Sequence, residues 1–140
     1  MIVYGNFRVS DERVRETLER IADALGRGIV VTSGDRGHVP TGGAKDSLHL
    51  IHQAADFHCN GLTDAQAFQW IRMKRQEIFG RASGLGFRFQ IIHHGSHTIT
   101  QGEHIHLGHV SESRHGQLRG FVVEGLTSST KGKYKTVEDA

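Results

Sequence analysis

Two short segments of the sequence bring histidines and carboxylates together. The first holds His49 and Asp56, and the second holds Glu103, His104 and His106. The chain has 11 histidines, and imidazole is the commonest metal ligand in proteins. A catalytic zinc ion takes three protein ligands and keeps a fourth position open for water. His49, Asp56 and His106 would supply two imidazoles and one carboxylate, so the pattern predicts a zinc site.

The spacing of the first segment predicts which way its side chains point. Alternate side chains along a strand share a face, so Ala54, Asp56 and His58 would lie together. If Phe57 enters the core, Asp56 and His58 face a groove, and the small Ala54 leaves room there for a ligand. A charged aspartate among apolar neighbours costs free energy unless it is paired or bound to a metal. The groove is therefore the expected place for the metal.

The second segment contains a candidate for the group that transfers a proton. His104 and His106 share a strand face, so His104 is expected either to line the groove or to hold a metal ligand in place. Glu103 precedes His104, and a bend at Gly102 would turn it back toward the site. A carboxylate that does not bind the metal can take a proton from an attacking water and return it to a leaving amine. Glu103 is the candidate for that role.

The flanking sequence predicts the elements that must hold these segments. An apolar stripe at helical spacing predicts a helix over Asp11–Leu25, with Ser10 as its N-cap. Thr63 and Gln66 match a capping box and predict a second helix that ends near Gly80. Short apolar or alternating runs predict strands over Ile29–Thr32, Ala54–His58, Phe87–Ile92, Thr98–Gln101, His104–Val110 and Leu118–Glu124. The polar, glycine-rich run Ser33–Asp46 is predicted as a long loop.

This order of elements favours an α+β fold with a mainly antiparallel sheet and helices packed on one face. The length of 140 residues fits one domain. We place that domain at residues 1–126. The polar C-terminal tail, residues 127–140, is expected to fray.

Composition and charge exclude several other classes of function. The net charge is +2 and no stripe of Lys and Arg with interleaved aromatics occurs, so we expect no nucleic-acid partner. Cys59 is the single cysteine, which excludes an internal disulfide. Met1–Ser10 lacks the pattern of a signal peptide, and no apolar run reaches membrane-spanning length. We therefore expect synthesis in the cytoplasm without a signal peptide, no membrane insertion, and a monomer.

Three motifs, in order, resemble those of the zinc D-Ala-D-Ala carboxypeptidase and dipeptidase family. Ser47–Asp56 is similar to the family's Ser-x-His-x-x-Gly-x-Ala-x-Asp motif, and Glu103–His106 is similar to its Glu-x-x-His motif. Ser33–Arg36 is similar to its Ser-Gly-Tyr-Arg motif. The family includes the vancomycin-resistance dipeptidases and many phage endolysins, among them L-Ala-D-Glu peptidases.

The resemblance implies a zinc metallopeptidase with the fold shared by hedgehog and lysostaphin-type domains. It implies His49, Asp56 and His106 as zinc ligands, Glu103 as catalytic base, and Arg36 as the side chain that stabilises the developing oxyanion. The implied substrate is an amide bond in peptidoglycan stem peptides or crosslinks. A carboxypeptidase or endopeptidase of this kind would act at the bacterial cell wall or periplasm after release or delivery. Further candidates for substrate binding or for holding a ligand in place are Ser47, His52, His58 and His104.

Two positions depart from the family pattern. His52 stands where the family has Gly, and it would be strained there if the position needs a positive φ. Otherwise His52 would line the groove. Asp35 replaces the aromatic residue before Arg36, and it would alter substrate choice or pair with Arg36. Neither change removes a proposed ligand.

Other interpretations stay open at this point. His104-Ile105-His106 alone would fit lysostaphin-type peptidases, although the wide gap from His49 to Asp56 and the presence of Glu103 favour the carboxypeptidase family. A non-catalytic zinc-binding interaction domain of the same fold would keep the metal without turnover. A cysteine peptidase would use Cys59, but a lone cysteine after a strand is usually a small buried hydrophobe. The remaining histidines are expected at the surface: His93, His94, His97, His109 and His115.

Overall fold

The computed structural model describes residues 1–36, 48–51, 53–80, 88–100, 102–110 and 118–138. Within these ranges the chain forms three α-helices and one seven-stranded sheet, so the predicted α+β class is confirmed. The helices are α1 (Glu12–Leu25), α2 (Asp64–Met73) and α3 (Arg75–Phe79). The strands are β1 (Ile2–Val3), β2 (Ile29–Ser33), β3 (Ala54–Cys59), β4 (Arg88–His94), β5 (His104–Val110), β6 (Gly120–Glu124) and β7 (Tyr134–Glu138).

The sheet is mixed, which corrects the prediction of a mainly antiparallel one. The strand order is β1-β2-β3-β5-β4-β6-β7. β1 runs parallel to β2 because α1 carries the chain back between them. β4 pairs antiparallel with β5 on one side and parallel with β6 on the other, because the chain crosses over β4 after leaving β5. Local sequence patterns carry no information on such crossovers.

The first helix begins one residue later than predicted. Asp11, not Ser10, is its N-cap, and the Asp11 side chain accepts the Val14 backbone N–H at 3.0 Å. Ser10 instead donates its backbone N–H and its hydroxyl to the Asp35 carboxylate. The predicted apolar stripe is confirmed, since the apolar residues that α1 buries are Val14, Leu18, Ile21, Ala22 and Leu25.

The predicted second helix is divided in two at Lys74. The capping box of Thr63 and Gln66 is present at the start of α2, as predicted. After the break, α3 ends at Gly80, also as predicted. The side chains of two helix arginines pair with Glu138 of β7 and so fasten both helices to the far edge of the sheet: Arg72 and Arg75.

The helices pack on one face of the sheet and form the core there. Their apolar side chains meet strand residues that alternate along the chain, such as Phe57, Ile91 and Ile105, all fully buried. Burying one such side chain contributes roughly 1.5–3 kcal/mol. Phe57 enters the core as predicted, which turns Asp56 to the opposite face of β3. That opposite face carries the candidate site.

Two predictions about the C-terminal half were wrong. The described part of the predicted strand Thr98–Gln101 is a bend rather than a strand, and the Thr98 hydroxyl and the Ile99 N–H bond to the Glu124 carboxylate there. The segment predicted as a frayed tail contains β7, which pairs antiparallel with β6. Gln101, Phe87 and most of the predicted loop, residues 37–46, lie outside the described residues. None of the described helices has the length and apolarity needed to cross a membrane.

Candidate metal centre

Three separate segments bring the candidate ligands to one point on the face of the sheet opposite the helices. Asp56 on β3 and His106 on β5 are direct partners in the antiparallel register, so their side chains lie side by side. His49 comes from the 3₁₀ turn Leu48–Ile51, which precedes β3. The buried Leu48 holds that turn against the sheet. All three candidate ligands are buried, as a preformed metal site requires.

The three side chains converge through one atom each. His49 Nε2 lies 3.0 Å from Asp56 Oδ1. His106 Nδ1 lies 3.2 Å from that oxygen and 3.2 Å from His49 Nε2. Ligand atoms about 2.0–2.2 Å from a tetrahedral zinc ion lie about 3.3–3.6 Å from one another. The triangle of donor atoms is therefore close to the size that zinc requires, and the three residues form a group that could hold a metal ion.

A backbone carbonyl fixes the position of the proton on His49. Its Nδ1 lies 2.7 Å from the Gly34 carbonyl oxygen, which can only accept, so Nδ1 carries the proton and donates it. Neutral His49 therefore presents a bare Nε2 to the other two ligands. A side chain at Gly34 would disrupt this arrangement, because its Cβ would lie 2.1 Å from the Arg8 carbonyl oxygen. This contact gives a physical reason for the glycine in Ser33–Arg36.

A glutamine fixes the proton on His106 at the other ring nitrogen. His106 Nε2 lies 2.7 Å from Gln90 Oε1. The Gln90 amide nitrogen donates to the Leu118 carbonyl at 2.7 Å, so the amide oxygen is left to accept from His106. Nδ1 of neutral His106 is then bare. Burial lowers the pKa of His106 to about 4, although the Asp56 carboxylate acts in the opposite direction, and the ring stays neutral at neutral pH.

With both rings neutral, two bare imidazole nitrogens and a carboxylate oxygen thus face one another in a buried space. Burial alone would raise the pKa of Asp56, but the charge of a protonated His49 and hydrogen bonds from His106 and His49 outweigh it and hold the pKa well below its ordinary range. Metal binding requires an ionised carboxylate and neutral histidines, so a proton on a nitrogen that faces Asp56 leaves as the metal binds. Imidazole and carboxylate donors suit zinc. The donor set of these residues fits the metal that the resemblance implies.

His104 lies next to this group on the same face of β5. Its Nδ1 donates to the Gly102 carbonyl at 2.8 Å, which leaves Nε2 bare in the neutral ring. That Nε2 is 3.5 Å from Asp56 Oδ2. Gly102 has a φ of 83°, a backbone conformation that glycine adopts at little cost. His104 therefore presents a nitrogen able to accept a proton at the edge of the metal-binding group.

The structure pairs Glu103 with His93 rather than with the metal-binding group. Glu103 Oε2 accepts from His93 Nε2 at 3.0 Å. The His93 ring in turn contacts Phe68 of α2, with 5.6 Å between ring centroids. Glu103 directly precedes His104, and successive side chains of an extended chain point to opposite faces of the sheet. The Glu103 side chain is therefore directed to the face that carries the helices. The bend expected at Gly102 is present, but it does not turn Glu103 to the site.

Arg36 is connected to the metal-binding group through its backbone. Its N–H donates to the His49 carbonyl at 3.1 Å, and its side chain is partly buried. Its neighbour Asp35 accepts hydrogen bonds from Ser10 at the start of α1. The predicted site residues Ser47 and His52 lie outside the described residues.

The last two candidates from β3 have their own partners. His58 shares the face of Asp56, is partly exposed, and lies 2.8 Å from the buried Asp64 carboxylate through its Nδ1. Cys59 points into the core and is 3% exposed. Burial and the charge of Asp64 raise the pKa of the Cys59 thiol to about 12. A nucleophilic cysteine needs a low pKa and an accessible thiolate, so the structure argues against the cysteine peptidase.

Several residues around the site were not predicted from the sequence. His93 and His94, expected at the surface, are each 4% exposed. The His94 ring stacks on His104 at 4.5 Å between centroids, and its Nδ1 donates to Glu124 at 2.6 Å. His97 is exposed as expected, His109 is partly buried and bonds to Asp11, and His115 lies outside the described residues. A signal for Glu124 did exist, since a lone acid in an apolar strand needs partners for the same reason as Asp56.

Glu124 is the centre of a buried hydrogen-bond network beside the site. Besides His94, its carboxylate accepts the Thr98 hydroxyl and the backbone N–H groups of Ile99 and Gly132, the last at 2.8 Å. Burial acts to raise the pKa of Glu124, but the hydrogen bonds from Thr98, His94 and these backbone groups outweigh it and lower the pKa. The network holds the ends of β4 and β6 and the turn before β7 in one arrangement.

Glu124→Gln should destabilise the metal-free protein, because an amide group cannot accept from all four donors. Each buried donor left without an acceptor costs about 1–3 kcal/mol. Because the folded pKa is lowered, the carboxylate contributes stability above its unfolded pKa of about 4.3 and loses it as pH falls through the folded value. Urea unfolding should therefore show a larger difference between wild type and variant at pH 7 than at pH 3. The exposed Glu16→Gln on α1 is the matched control, and an equal loss in both variants would contradict the assignment.

Comparison with protein families identifies the chain on independent grounds. A family model described as Peptidase M15 matches residues 6–94, more than half of the chain. The chain belongs to the peptidase M15 family. Membership confirms the resemblance to the zinc D-Ala-D-Ala carboxypeptidase family that the motifs predicted, and it supports a metallopeptidase.

The family match covers only part of the metal centre. Arg36, His49 and Asp56 lie within the matched residues, whereas His104 and His106 lie beyond them. For these last two the structure supplies the connection, since β5 places His106 against Asp56. Neither a curated protein nor a solved structure matched the chain.

Proposed function

We propose that this chain is a zinc-dependent peptidase that hydrolyses amide bonds in the peptide stems or crosslinks of bacterial peptidoglycan. Membership of the peptidase M15 family supports the class of reaction. The observation that carries the proposal is the convergence of His49 Nε2, Asp56 Oδ1 and His106 Nδ1, all buried and within 4.8 Å of one another. Three protein ligands are the number found in catalytic zinc sites, in which a fourth position is left for water.

His49, Asp56 and His106 would hold the zinc ion. When bound, zinc polarises a carbonyl as a Lewis acid and lowers the pKa of water from about 15.7 to about 7. The protein's own contribution is to hold one ring proton of each imidazole away from the site, donated to Gly34 or Gln90. The ligands thus need no rearrangement to bind the metal.

We assign the proton transfer to His104. Its Nδ1 proton is held by the Gly102 carbonyl, and its bare Nε2 lies 3.5 Å from Asp56 Oδ2, at the metal-binding group. From there Nε2 would accept the proton of the attacking water and return it to the leaving amine. Glu103, which the resemblance implies for this role, is the alternative candidate. Arg36, beside His49, is proposed to stabilise the negative charge that develops on the substrate oxygen.

The proposed place of action is the cell wall or periplasm. We propose that the chain reaches its substrate by release or delivery, as a phage endolysin or a secreted effector does. The bond cut is D-Ala-D-Ala, L-Ala-D-Glu or an interpeptide crosslink. All three present the same amide to the metal centre and differ in the side chains that flank it.

A cell-wall assay with and without metal tests the proposal. The protein should lower the turbidity of purified cell walls if it cuts crosslinks or stems, a chelator should abolish its activity, and added zinc should restore it. Mass spectrometry of the soluble muropeptides before and after digestion would identify the bond, including a D-Ala-D-Ala cut that leaves turbidity unchanged. New peptide termini that persist in the presence of chelator would contradict a zinc-dependent reaction.

The same assay separates catalysis from a non-catalytic zinc domain. Such a domain would bind zinc stoichiometrically and release no new peptide termini from any cell wall tested. Among the described residues, three converge as ligands, and this number favours catalysis, because a purely structural zinc site is closed by a fourth protein ligand.

A further inference from the structure

Gln90 is a buried polar residue that contacts a proposed zinc ligand from outside the ligand set. It lies on β4, on the face of the sheet that carries His106, and is 4% exposed. Nothing in the sequence of β4 gave a sign of this contact. A buried amide is costly unless both of its ends are hydrogen-bonded.

Both ends of the Gln90 amide are satisfied, and this fixes its orientation. The nitrogen donates to the Leu118 carbonyl at 2.7 Å, so the oxygen faces His106 Nε2, also at 2.7 Å. If the amide turned over, its nitrogen would face a protonated ring nitrogen and its oxygen would face a carbonyl. The amide therefore admits only one tautomer of neutral His106, the one with the proton on Nε2.

The neighbouring glycine leaves the space that this hydrogen bond occupies. Gly108 of β5 lies opposite Gln90 in the register. A Cβ at Gly108 would lie 3.0 Å from His106 Nε2, 3.2 Å from Gln90 Oε1 and 2.5 Å from a methyl group of Leu48. The hydrogen bond between His106 and Gln90 is thus enclosed by tightly packed atoms on this side. Such packing leaves the imidazole little freedom to rotate.

We propose that Gln90 is a positioning residue that strengthens zinc binding by holding His106 in the tautomer and ring orientation whose Nδ1 faces His49 and Asp56. This inference rests on the proposed zinc site and adds a residue that does not touch the metal. Hydrogen bonds from outside the ligand set orient metal-binding histidines, and their loss typically weakens metal affinity about 10–100-fold. Without the Gln90 acceptor, the ring could carry its proton on Nδ1, which would block the ligand atom.

Two substitutions separate this role from a merely structural one. Gln90→Leu removes both hydrogen bonds, whereas Gln90→Glu keeps an acceptor for His106 and loses only the bond to Leu118. Zinc affinity, measured by competition with a chromophoric chelator, should fall about 10–100-fold in Gln90→Leu. It should change no more than a few-fold in Gln90→Glu. Gln76→Leu, at an exposed position on α3, is the matched control and should bind zinc as wild type does.

A second readout needs no metal and no activity. Long-range proton–nitrogen NMR spectra of the metal-free protein should show His106 protonated at Nε2 in wild type and in Gln90→Glu. In Gln90→Leu the same ring should show a mixture of tautomers. Urea unfolding of each metal-free variant reports any general loss of stability separately from these signals.

The outcomes distinguish this inference from the proposed function. If wild type binds zinc and Gln90→Leu binds it equally well, the inference is wrong while the zinc site stands. Equal losses of affinity in Gln90→Leu and Gln90→Glu would also overturn it, because the bond to Leu118 would then be the one that matters. A wild-type protein that binds no zinc would refute the proposed function itself.

Discussion

Asp56→Asn is expected to weaken zinc binding by more than about 100-fold. Loss of a residue that only hydrogen-bonds to a metal ligand already lowers metal affinity by about 10–100-fold, and Asp56 is itself a proposed ligand. The amide keeps the size of the carboxylate and removes the one negative charge among the three donor atoms. Peptidase activity should fall to the background of the assay. Chelator competition measures the affinity, and the release of new peptide termini from cell walls measures the activity.

The same substitution should destabilise the metal-free protein at neutral pH, because a carboxylate with a lowered folded pKa contributes stability above its unfolded pKa of about 3.9 and loses it as pH falls through the folded value. In wild type, Asp56 Oδ1 lies within hydrogen-bond distance of two ring nitrogens, 3.0 Å from His49 Nε2 and 3.2 Å from His106 Nδ1. An asparagine amide at this place can donate a hydrogen bond to one of them. Zinc at 100 times its dissociation constant should stabilise wild type by about 2.7 kcal/mol and the variant by far less.

Asp23→Asn makes the same chemical change at an exposed position on α1 and should leave affinity, activity and stability unchanged. Wild-type zinc affinity in Asp56→Asn would contradict the assigned ligand set. Unchanged zinc affinity together with a loss of stability in the metal-free variant would show instead that the carboxylate serves the fold alone. His106→Ala, which should lose both zinc and activity, tests the same assignment from β5.

The face on which Asp56 and His106 lie could be predicted from the sequence because simple rules of strand periodicity apply to them, whereas His49 lies on a 3₁₀ turn to which these rules do not extend. Phe57 is apolar and Asp56 is charged, so alternation along β3 alone places them on opposite faces of the sheet. His104 and His106 are two residues apart and share a face for the same reason. These rules depend on neighbours along the chain, and the structure confirms them at each of these positions.

The orientation of Glu103 in the structure differs from the one that the motif implied. The Glu-x-x-His motif implied a carboxylate at the site. Glu103 is next to His104 in the sequence, however, so the two side chains point to opposite faces of the sheet. The prediction needed the bend at Gly102 to reverse this direction. The φ of 83° at Gly102 turns the chain, but the Gly102 carbonyl, not Glu103, contacts the site through His104.

The surroundings of the site depend on which strands become neighbours, which the sequence does not reveal. Gln90 reaches His106 because β4 inserts between β5 and β6. Glu124 and His94 meet through the parallel pairing of β4 with β6. β1 and β7 are short or polar edge strands that have little apolar pattern of their own. These two segments form strands because they pair with β2 and β6, and their own sequences do not predict a strand.

The paired variants His104→Ala and Glu103→Ala should differ strongly in turnover. Removal of a general base typically costs about 10²–10⁴-fold in rate, and this loss is expected in kcat for His104→Ala. Its zinc affinity should stay near wild type, because His104 is not among the three residues whose donor atoms converge. Glu103 is exposed and bonded to His93, so Glu103→Ala should keep turnover within a few-fold of wild type.

Zinc content decides how each rate is interpreted. His104 stacks on His94, so its loss could disturb the site indirectly. Wild-type zinc affinity and an unchanged unfolding midpoint in His104→Ala would exclude that explanation and leave the missing proton acceptor as the cause. The reverse pattern, with turnover lost in Glu103→Ala and kept in His104→Ala, would assign the role of general base to Glu103 instead. Substrate binding would then have to break the Glu103–His93 pair, because only the rotation of Glu103 to the other face of β5 would bring its carboxylate to the attacking water.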